Sequence, residues 1–428
     1  MSRTIDSDDA ETNSKFKYEI DMKLPCFSQM EKRYLLATIL DRTNTKGEET
    51  YYVHFDGYNR RMDEWVTIDK FKPGVKPIFD GTRKREAQKK HHEEQHSNSH
   101  PESRTDDLEG GAKGENRAKR AKRSGTGSGM TYEPLPRNID RIWLGRYEID
   151  TWYYSPYPAD VLGEEKRSEM LYICEYCLTP FRVKRSLDRH MTKCKMLCPP
   201  GDEIFRQGEI SMFEVDGFKQ RVYCQNLSLI SKLFLDHKTG PEIADIFLFY
   251  VLTEVDKQGC HFVGYFSKEK ESESNFNLAC IMVLPPYQQK GYGRFLISFS
   301  YELSKKEGRA GTPLTPLSDL GVLSYFNYWK YTIIQVLSSM TGPISVKQIS
   351  AITSITVDDI IQTIKRFQLL KYVHGDYVFD LSPAILEEHH RRRPKIILNS
   401  ENLHWSPPVY LQTSKEKEHY KSSRISTI

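Results

Sequence analysis

The stretch from Asn277 to Glu302 joins an apolar strand, a double proline and a glycine turn that opens a helix, and it constrains the fold more than any other part of the chain. The run from Leu278 to Leu284 has the length and the β-branched content of a buried strand. Pro285 and Pro286 end that strand, because neither residue can donate a backbone hydrogen bond to a sheet. A buried strand that leads into a helix predicts an α/β unit around this stretch.

The turn after the double proline is a candidate phosphate-binding loop. Its glycines, Gly291 and Gly293, precede a helix whose first backbone N–H groups have no partner within the helix, and such groups attract anions. Lys290 and Arg294 add positive charge beside them. The third glycine of a dinucleotide-binding pattern is replaced by Leu296, so the loop alone leaves phosphate binding and an ordinary helix start as equal alternatives.

Four further segments favour the phosphate-binding alternative. They read SKEKES at 267–272, LPPYQ at 284–288, FSYELSK at 299–305 and PLSDLG at 316–321. Together with the strand and the loop they resemble the acetyl-CoA site of the GCN5-related acetyltransferase fold, and in particular the MYST histone acetyltransferases. The resemblance implies that acetyl-CoA is bound by the loop and by backbone groups of the strand. The residues concerned are Gln288, Gln289, Lys290, Gly291, Tyr292, Gly293 and Arg294 in the loop, and Ile281, Met282 and Val283 in the strand.

The composition is that of a globular chain. Its 428 residues, of which 38% are hydrophobic and 28% charged, leave room for two or three domains. No apolar run approaches the length of a membrane span, and the N-terminus lacks the apolar centre of a signal peptide, so no membrane partner is expected. Three of the eight cysteines lie in one metal-type cluster, which favours a reducing compartment over a disulfide framework. The resemblance implies the nucleus.

Changes in composition divide the chain into five regions. These are a polar tail over residues 1–18, a small β-rich unit over 19–79, a linker over 80–134, an α/β unit with a helical C-terminal part over 135–415, and a polar tail over 416–428. The linker and the first tail are predicted to be disordered, because they contain too few apolar residues to fold alone. Two basic segments of the linker favour nuclear import or contact with nucleic acid phosphates: Lys84–Lys90 and Arg117–Arg123. The alternative is that they are only solvated charged segments.

The N-terminal unit carries strand and turn signals. Tyr51–Phe55 alternates as a half-buried strand does, and Asp56-Gly57 is a strong turn signal. The stretch YYVHFDGYNRRMDEWV resembles the chromo-barrel of the males-absent-on-the-first subfamily of MYST enzymes, which implies a module that tethers the enzyme to chromatin. Arg60 and Arg61 are candidates for contact with an RNA or DNA backbone. Four aromatic residues either cage a methyl-ammonium group or, as favoured for most of them, fill the barrel core: Tyr52, Phe55, Tyr58 and Trp65.

The pattern Cys174-x2-Cys177-x12-His190-x3-Cys194, within residues of about 168–198, predicts a zinc site. Two cysteines on a tight turn and a His/Cys pair one helical turn apart can converge on a tetrahedral Zn²⁺. Four protein ligands leave no open position for water, so the role is structural. Cys198 is a rival ligand with poorer spacing. The resemblance agrees, because MYST enzymes carry a C2HC finger at this place.

Catalysis requires a route for the proton, because a free lysine amine has a pKa near 10.4 and is a poor nucleophile until it is deprotonated. By resemblance, Cys280 matches the active-site cysteine of MYST enzymes, for which an acetyl-cysteine intermediate has been proposed; a buried, inert cysteine is the alternative. Lys238 matches their autoacetylated lysine. Ser318 matches a serine that can donate a proton to the departing CoA thiolate.

The general base is where this chain departs from the family it resembles. Leu314 stands where MYST enzymes carry a glutamate, and leucine cannot accept a proton. General-base catalysis contributes about 10²–10⁴-fold, so its loss is expected to lower the rate. The nearest carboxylates in sequence are Asp319 and Glu307. Asn327 also replaces a serine that lies near the cofactor in the family.

Residues 343–380 have the order of a winged helix. Lys365 and Arg366 are the only basic pair on its second helix, which is few for DNA recognition, and the resemblance favours packing against the acetyl-CoA core. The patch His389–Lys395 is a candidate contact for nucleosomal DNA or an acidic partner. The predicted elements are a helix from Ile344 to Ile352, a capped turn over 353–356, a second helix from Val357 to Leu370, and a hairpin from Tyr372 to Phe379.

The fold expected from the whole sequence is α/β (α+β). It comprises an acetyltransferase core with a zinc finger and a winged-helix-like part, and a separate β chromo-barrel. The implied function is transfer of acetyl from acetyl-CoA to lysines of histone tails, with histone H4 as the expected substrate, in a nuclear chromatin-modifying complex. The alternative is a catalytically weakened paralogue that acts as a chromatin-binding scaffold. A zinc-dependent DNA-binding regulator is the weakest interpretation.

Overall fold

The computed structural model describes residues 17–45, 48–79, 135–164, 166–236, 240–272, 274–374 and 376–407. The chain forms two compact units, Met1–Pro136 and Arg137–Ile428. The two basic segments of the linker lie outside the described residues, as does Lys238; these segments are Lys84–Lys90 and Arg117–Arg123.

The N-terminal unit is a small sheet of five strands, in the order β4-β3-β2-β1-β5, whose neighbours pair antiparallel. Alternation along β3 turns Tyr51, Val53 and Phe55 into the same apolar core, where all three are buried. The strands are β1 (Met22–Ser28), β2 (Arg33–Thr45), β3 (Glu48–Phe55), β4 (Glu64–Thr67) and β5 (Ile78–Phe79).

The second unit begins with a four-stranded sheet in the order β7-β6-β8-β9. Between β8 and β9 the chain makes the tight turn that carries Cys174 and Cys177, and the helix α2 that follows carries His190. The elements are β6 (Ile139–Leu144), β7 (Tyr147–Asp150), α1 (Ala159–Leu162), β8 (Ser168–Ile173), β9 (Pro180–Phe181) and α2 (Lys184–Met191).

An antiparallel sheet in the order β10-β11-β12-β13-β15 forms the centre of this unit. Its strands are β10 (Asp202–Gln207), β11 (Ile210–Asp216), β12 (Phe247–Val255), β13 (Cys260–Glu269) and β15 (Cys280–Val283). A separate parallel pair joins β14 (Phe276–Leu278) to β16 (Thr312–Pro313). The helices α3 (Arg221–Lys232) and α4 (Tyr292–Glu307) lie against the central sheet.

The helices α3 and α4 lie on opposite faces of the central sheet. Tyr265 of β13 accepts a hydrogen bond from Ser231 of α3 at 2.7 Å, whereas Phe266, the next residue, meets Phe299 of α4 with ring centroids 6.4 Å apart. Successive residues of a strand point to opposite faces, so these two contacts place one helix on each side. The sheet is therefore covered on both faces, and β12 is buried over seven consecutive residues.

The C-terminal part packs against the outer side of α4. Ile297 and Tyr301 of α4 belong to its core, and the Trp329 indole donates to the Tyr301 hydroxyl at 2.8 Å. None of the described helices has the length and apolar content required to cross a bilayer. The elements are α5 (Asp319–Ser339), α6 (Val346–Thr353), α7 (Val357–Phe367), β17 (Leu370–Val373), β18 (Asp376–Phe379) and α8 (Pro383–Arg391).

The expected pair of helices is present, with different ends. The second helix, α7, ends at Phe367 instead of Leu370, because Gln368 adopts a left-handed conformation with φ of 51° and closes the helix. Leu369 continues the apolar pattern and is buried, which is why the sequence alone extends the helix through it. The side chain of Thr356 caps α7 by accepting from the backbone N–H of Asp359.

A buried ion pair within the central part gives the first prediction. Glu307 at the end of α4 is bonded to Lys268 of β13, both side chains are less than 5% exposed, and Arg309 Nε lies 2.8 Å from the second carboxylate oxygen. Glu307→Gln leaves the Lys268 ammonium buried without its counter-charge, so we expect it to lower the free energy of unfolding by about 3–5 kcal/mol. Urea unfolding followed by circular dichroism measures this loss.

The matched control is Asp188→Asn, which breaks the exposed pair between Lys184 and Asp188 on α2, where N···O is 2.9 Å. Exposed i,i+4 pairs contribute only about 0.3–0.5 kcal/mol, so the control should unfold at nearly the wild-type urea concentration. Equal losses in the two variants would show that the buried pair contributes no more than a surface pair.

Candidate functional site

The central sheet ends in an open edge next to Cys280. β15 is its last strand, and it pairs with β13 on one side through the register Ser267↔Cys280 to Gly264↔Val283. On the other side β14 is joined to β16, but this pairing stops where the backbone N–H of Leu314 donates to the Leu278 carbonyl at 2.8 Å. Among the described residues, no strand pairs with the outer edge of β15. Its outward backbone groups are therefore available to a ligand that lies along the strand.

The loop after β15 turns its backbone amides toward the start of α4. Gln289 and Gly291 have positive φ angles of 61° and 105°, and consecutive N–H groups in such a turn form an anion-binding concavity. The Gln288 side chain donates to the Val283 carbonyl at 2.9 Å, which fastens the loop to the strand. No side chain caps the first N–H groups of α4, and its first turn contains no acidic residue. An anion can occupy this position without competition from the protein.

The two cations of the loop are placed differently. Lys290 is exposed, with its ammonium 5.1 Å from the centroid of the Tyr287 ring. The Arg294 guanidinium instead lies 4.1 Å from the centroid of Tyr331 and donates to the Arg392 carbonyl at 3.2 Å. Burial lowers the pKa of Arg294. Arg294 thus fastens the C-terminal part to α4.

Lys395 contacts this loop from the C-terminal part of the chain, and reasoning from the sequence missed this contact. Its ammonium donates to the Gln289 carbonyl at 2.8 Å, and a Cβ on Gly291 would come within 3.1 Å of the Lys395 Cβ. Glycine is therefore required at position 291 both by its φ angle and by this close approach. The patch His389–Lys395 was recognisable as basic, but its contact with a loop about 100 residues earlier depends on the fold.

Cys280 is half-buried at the beginning of β15. Its partner in the register is Ser267, whose buried hydroxyl has no hydrogen-bond partner among the residues that the structure describes. Tyr265 and Ser267 are two residues apart on β13 and share a face with Cys280. Burial first, and then the nearby Cys280, raise the pKa of Tyr265, so its hydroxyl stays protonated. The face around Cys280 is therefore lined by neutral hydroxyl groups.

Neither carboxylate that the sequence suggests as a substitute base lies free in this region. Glu307 is held by Lys268 and Arg309, and Asp319 is exposed on the first turn of α5. Leu314 itself is half-buried, two residues after Thr312. Burial raises the pKa of Asp359, whose carboxylate is hydrogen-bonded to Thr356 and Thr312. Asp359 thus contacts β16, which ends at Pro313, next to Leu314; the only sequence signal for Asp359 is its place three residues after Thr356, the N-cap of α7.

Ser318 is the N-cap of α5 and is exposed. Its hydroxyl oxygen accepts from the Gly321 backbone N–H at 3.2 Å, which leaves its proton available to a bound group. Asn327, which replaces the expected serine, accepts from the Arg392 guanidinium at 3.1 Å. The backbone N–H of Gly311 donates to the Ser354 carbonyl at 2.9 Å, so the turn between α6 and α7 fastens the beginning of β16.

The predicted metal ligands converge. The ligand atoms of Cys174, Cys177, His190 and Cys194 all lie within 4.8 Å of one another, and Cys177 Sγ is 3.2 Å from His190 Nε2. The hydrogen bond from the Cys174 thiol lowers the pKa of Cys177, and the same bond raises the pKa of Cys174. Cys198 is exposed and is not part of the cluster. The donor set of three sulfurs and one imidazole nitrogen fits Zn²⁺ in a structural, four-coordinate site.

Comparison with known proteins decides the family. Residues 198–403 match the MOZ/SAS family, residues 136–194 match the MYST family zinc finger domain, and residues 18–73 match the RNA binding activity-knot of a chromodomain, called Tudor-knot. "Histone acetyltransferase of the MYST family 2" of Arabidopsis thaliana is 44% identical over 405 residues, which cover 91% of this chain and 85% of the relative. The chain belongs to the MYST family of histone acetyltransferases.

Other MYST relatives agree over nearly the whole chain. "Putative MYST-like histone acetyltransferase 1" of Oryza sativa subsp. japonica is 41% identical, over 92% of this chain and 86% of its own length. "Histone acetyltransferase ESA1" of Saccharomyces cerevisiae is 38% identical, over 92% of this chain and 94% of its own length. The predictions of acetyl-CoA and of structural zinc are confirmed. Assignment to the males-absent-on-the-first subfamily stays a prediction.

The MYST zinc finger is joined to the acetyltransferase core by His261 of β13. Its Nδ1 lies 2.8 Å from Glu175 Oε2, on the tight turn of the zinc site, and its Nε2 lies 2.9 Å from Asp256 Oδ1. Burial acts to lower the pKa of His261, but hydrogen bonds from the imidazole to Glu175 and Asp256 outweigh it and raise the pKa above the usual value. The protonated imidazole therefore stabilises the junction of the two parts more than the neutral imidazole does.

This junction gives a pH-dependent prediction. Because the pKa of His261 is raised on folding, its stabilisation is complete below the unfolded-state pKa of about 6.5 and is lost as the pH rises through the folded-state pKa. The difference in unfolding temperature between wild type and His261→Gln should be largest near pH 6 and should narrow with rising pH. Differential scanning calorimetry from about pH 5 to 9 measures it. His404→Gln, at an exposed histidine, serves as the control, and a gap independent of pH would contradict the charged state of His261.

In the Tudor-knot unit the four aromatic candidates are not equivalent. Phe55 is fully buried in the barrel core, so its ring is not available to a ligand in this structure. Tyr52 is also buried, with its ring centroid 5.3 Å from that of Trp65. The Tyr58 hydroxyl accepts from the Arg33 guanidinium at 2.7 Å. Trp65 and Tyr58 are half-buried and retain exposed ring surface.

Proposed function

We propose that this chain transfers acetyl from acetyl-CoA to the ε-amino group of lysines in histone tails, with histone H4 as the principal substrate, in the nucleus. The observation that supports this most is the open outer edge of β15, which runs from Cys280 to the amide-lined loop at the start of α4. The amides of the loop would hold the phosphates of a cofactor bound along this edge, and Cys280 would be the residue beside its acyl end. Membership of the MYST family supports the same conclusion.

The residues of the chain then have separable roles. Backbone groups of Ile281 and Val283 bind along the strand, and the amides of Gln289 to Gly291 hold the phosphates. Acetyl-CoA supplies the acyl group when it is bound. Cys280 lies at the acyl end, and Ser318 holds a proton for the departing thiolate, since its hydroxyl accepts the cap bond and keeps its own proton free.

Leu314 sets the rate in this proposal. With no carboxylate at that position, the lysine proton leaves to water, and catalysis depends mainly on the positioning of the two reactants. The rate is then lower than that of a MYST enzyme with glutamate at this position by roughly 10²–10⁴-fold. The same chemistry continues, at a reduced turnover.

The test is acetyl transfer from acetyl-CoA to a histone H4 tail peptide by the full chain. Wild type is compared with Cys280→Ala and with Cys198→Ser, which changes an exposed cysteine outside both sites. We expect wild type and Cys198→Ser to exceed the rate without enzyme, Cys280→Ala to fall to background, and an H3 tail peptide to react more slowly than H4. Equal rates for wild type and Cys280→Ala, both at background, would refute the proposal.

A second candidate function is that of a chromatin-binding scaffold. Two observations favour it: the apolar side chain of Leu314 where the base is expected, and the engagement of Glu307 in an ion pair. In this case acetyl-CoA still binds to the loop, but no acetyl-lysine is formed. Isothermal titration with acetyl-CoA beside the transfer assay separates the two functions, because the scaffold gives saturable binding without turnover.

We further propose that the Tudor-knot unit contacts nucleic acid and thereby holds the enzyme on chromatin together with the subunits of a larger complex. Arg61 is exposed, whereas Arg60 lies 3.6 Å from the buried carboxylate of Asp63. The family that this unit matches is described as an RNA-binding knot, which supports the same role. A reduced slope of affinity against salt concentration in Arg61→Gln would support a phosphate contact.

A further inference from the structure

A cavity of about 210 Å³ lies at the junction of the zinc finger and the acetyltransferase core, away from Cys280 and Leu314. Four segments form its walls: the turn between β6 and β7, the tight turn of the zinc site, the turn between β12 and β13, and the chain that follows β15. Tyr287, the residue before Gln288, forms one wall. The cavity therefore lies next to the cofactor loop, because Tyr287 lines the cavity and immediately precedes the loop.

One end of the cavity is negative. Glu175 and Asp256 flank His261 from opposite sides of the imidazole, at 2.8 Å and 2.9 Å. The three groups carry a net charge of minus one when the imidazole is protonated and minus two when it is neutral, so this end is anionic in either state. In these contacts Glu175 uses Oε2 and Asp256 uses Oδ1, and each carboxylate has a second oxygen that can accept a hydrogen bond.

Arg146 also lines the cavity, but it does not cancel this charge. Arg146 lies 3.8 Å from Glu254, a carboxylate outside the cavity lining, and its guanidinium is 5.2 Å from the centroid of Tyr147. Arg146 is therefore balanced by its own partner. The remaining walls are apolar and include Leu144 and Phe262, which suit an aliphatic chain.

The dimensions and the chemistry together select the occupant. Pockets for small-molecule ligands have volumes of roughly 300–1,000 Å³, so a cavity of 210 Å³ suits a single side chain. The planar guanidinium has five N–H donors in a fixed fork that matches carboxylate oxygens, and it is more weakly hydrated than an ammonium, so it is the cation that best suits two carboxylates on either side of a ring. We propose that this cavity binds one arginine side chain presented by a protein partner. This binding does not depend on whether the chain transfers acetyl groups to histones.

The experiment uses three small probes and the full chain with its zinc. N-acetyl-L-arginine methylamide represents an arginine within a polypeptide, the corresponding citrulline derivative is its neutral isostere, and free L-arginine represents a metabolite. Ligand-observed NMR titration gives the dissociation constants. We expect the arginine derivative to bind saturably and the citrulline derivative to bind at least about tenfold more weakly, since a charged hydrogen bond is lost. Equal affinity of the arginine and citrulline derivatives would overturn the proposal, and so would tighter binding of free L-arginine.

Variants locate the binding. Asp256→Asn keeps the Oδ1 atom that accepts from the Gln258 backbone N–H at 2.7 Å but removes the charge, so it should weaken binding of the arginine derivative about tenfold. Glu175→Gln should do the same, with zinc content measured because Glu175 adjoins Cys174. Glu169→Gln, at an exposed carboxylate of β8 outside the cavity, should bind as wild type does. Binding that survives both cavity variants would place the arginine elsewhere and overturn the proposal. None of these outcomes depends on acetyl transfer, so the proposal can fail while the proposed function stands.

Discussion

Leu314→Glu is expected to raise the rate of acetyl transfer to a histone H4 tail peptide by about 10²-fold or more. The backbone N–H of Leu314 is bonded to the carbonyl of Leu278 at 2.8 Å, and Leu278 is the last residue of β14, two residues before Cys280. A carboxylate at this position can accept the lysine proton, which leucine cannot do. Steady-state kinetics with saturating acetyl-CoA measures the effect, and it should appear in kcat more than in KM, because proton transfer belongs to the chemical step.

Leu314→Gln is the matched control, since glutamine has the shape of glutamate without a basic carboxylate. It should leave the rate within a few-fold of wild type, and the rate of Leu314→Glu should rise with pH as its carboxylate ionises. If glutamine accelerates the reaction as much as glutamate does, the gain comes from a polar side chain, and the missing-base explanation is wrong. If neither variant responds, another group already takes the proton, and Asp359 is then the next carboxylate to test because it is bonded to Thr312, two residues before Leu314.

Cys177→Ser is expected to lose the bound zinc and to lower the unfolding temperature of the second unit sharply. Structural zinc contributes roughly 10–16 kcal/mol in zinc-finger peptides, and the core of the zinc module here is small, with Leu187, Tyr176 and Cys174 as its buried residues. The ring of Phe181 packs against the ring of the ligand His190, with their centroids 4.9 Å apart. Loss of the metal would release His190 and so weaken this contact of the small core. Atomic emission gives the zinc content and calorimetry gives the unfolding temperature.

Cys198→Ser is the control for the zinc prediction, because Cys198 is exposed and outside the cluster. It should retain one zinc per chain and the wild-type unfolding temperature. One zinc retained by Cys177→Ser would mean that the metal is held by a different set of residues. Loss of zinc should also destabilise the acetyltransferase core. The backbone N–H of Cys260 on β13 donates to the carbonyl of Leu197, just after the zinc site, at 2.8 Å.

The zinc site and the cofactor loop could be predicted because their geometry is local. Cys174 and Cys177 are joined by a turn of two residues, and His190 and Cys194 are one helical turn apart, so spacing alone brings each pair together. The loop needs only a strand, a proline stop and a helix in order, and all three are present. The turn between β17 and β18 was equally local, although residue 375 within it lies outside the described residues.

The partners of the charged side chains could not be predicted from the sequence. Arg294 lies in the first turn of α4 and was expected at the phosphates, but its guanidinium lies 4.1 Å from the centroid of the Tyr331 ring of α5. Glu307 was a candidate base by its nearness in sequence, yet the fold places Lys268 from β13 against it in a buried position. A charge inside a protein must be paired, and which partner is available depends on strands and helices that are far apart in sequence.

The sequence by itself determined the α/β class, the zinc ligands, the strand, proline stop and helix of the candidate cofactor loop, and the presence of leucine at position 314, because each depends on residue identity or on spacing within one or two elements. Only the tertiary structure decided that β14 and β15 part at Cys280 and leave an open edge, that Lys395 reaches the Gln289 carbonyl, and that Glu175, His261 and Asp256 meet beside a cavity. These features arise from contacts between distant segments, and distant contacts are selected by how the whole core packs.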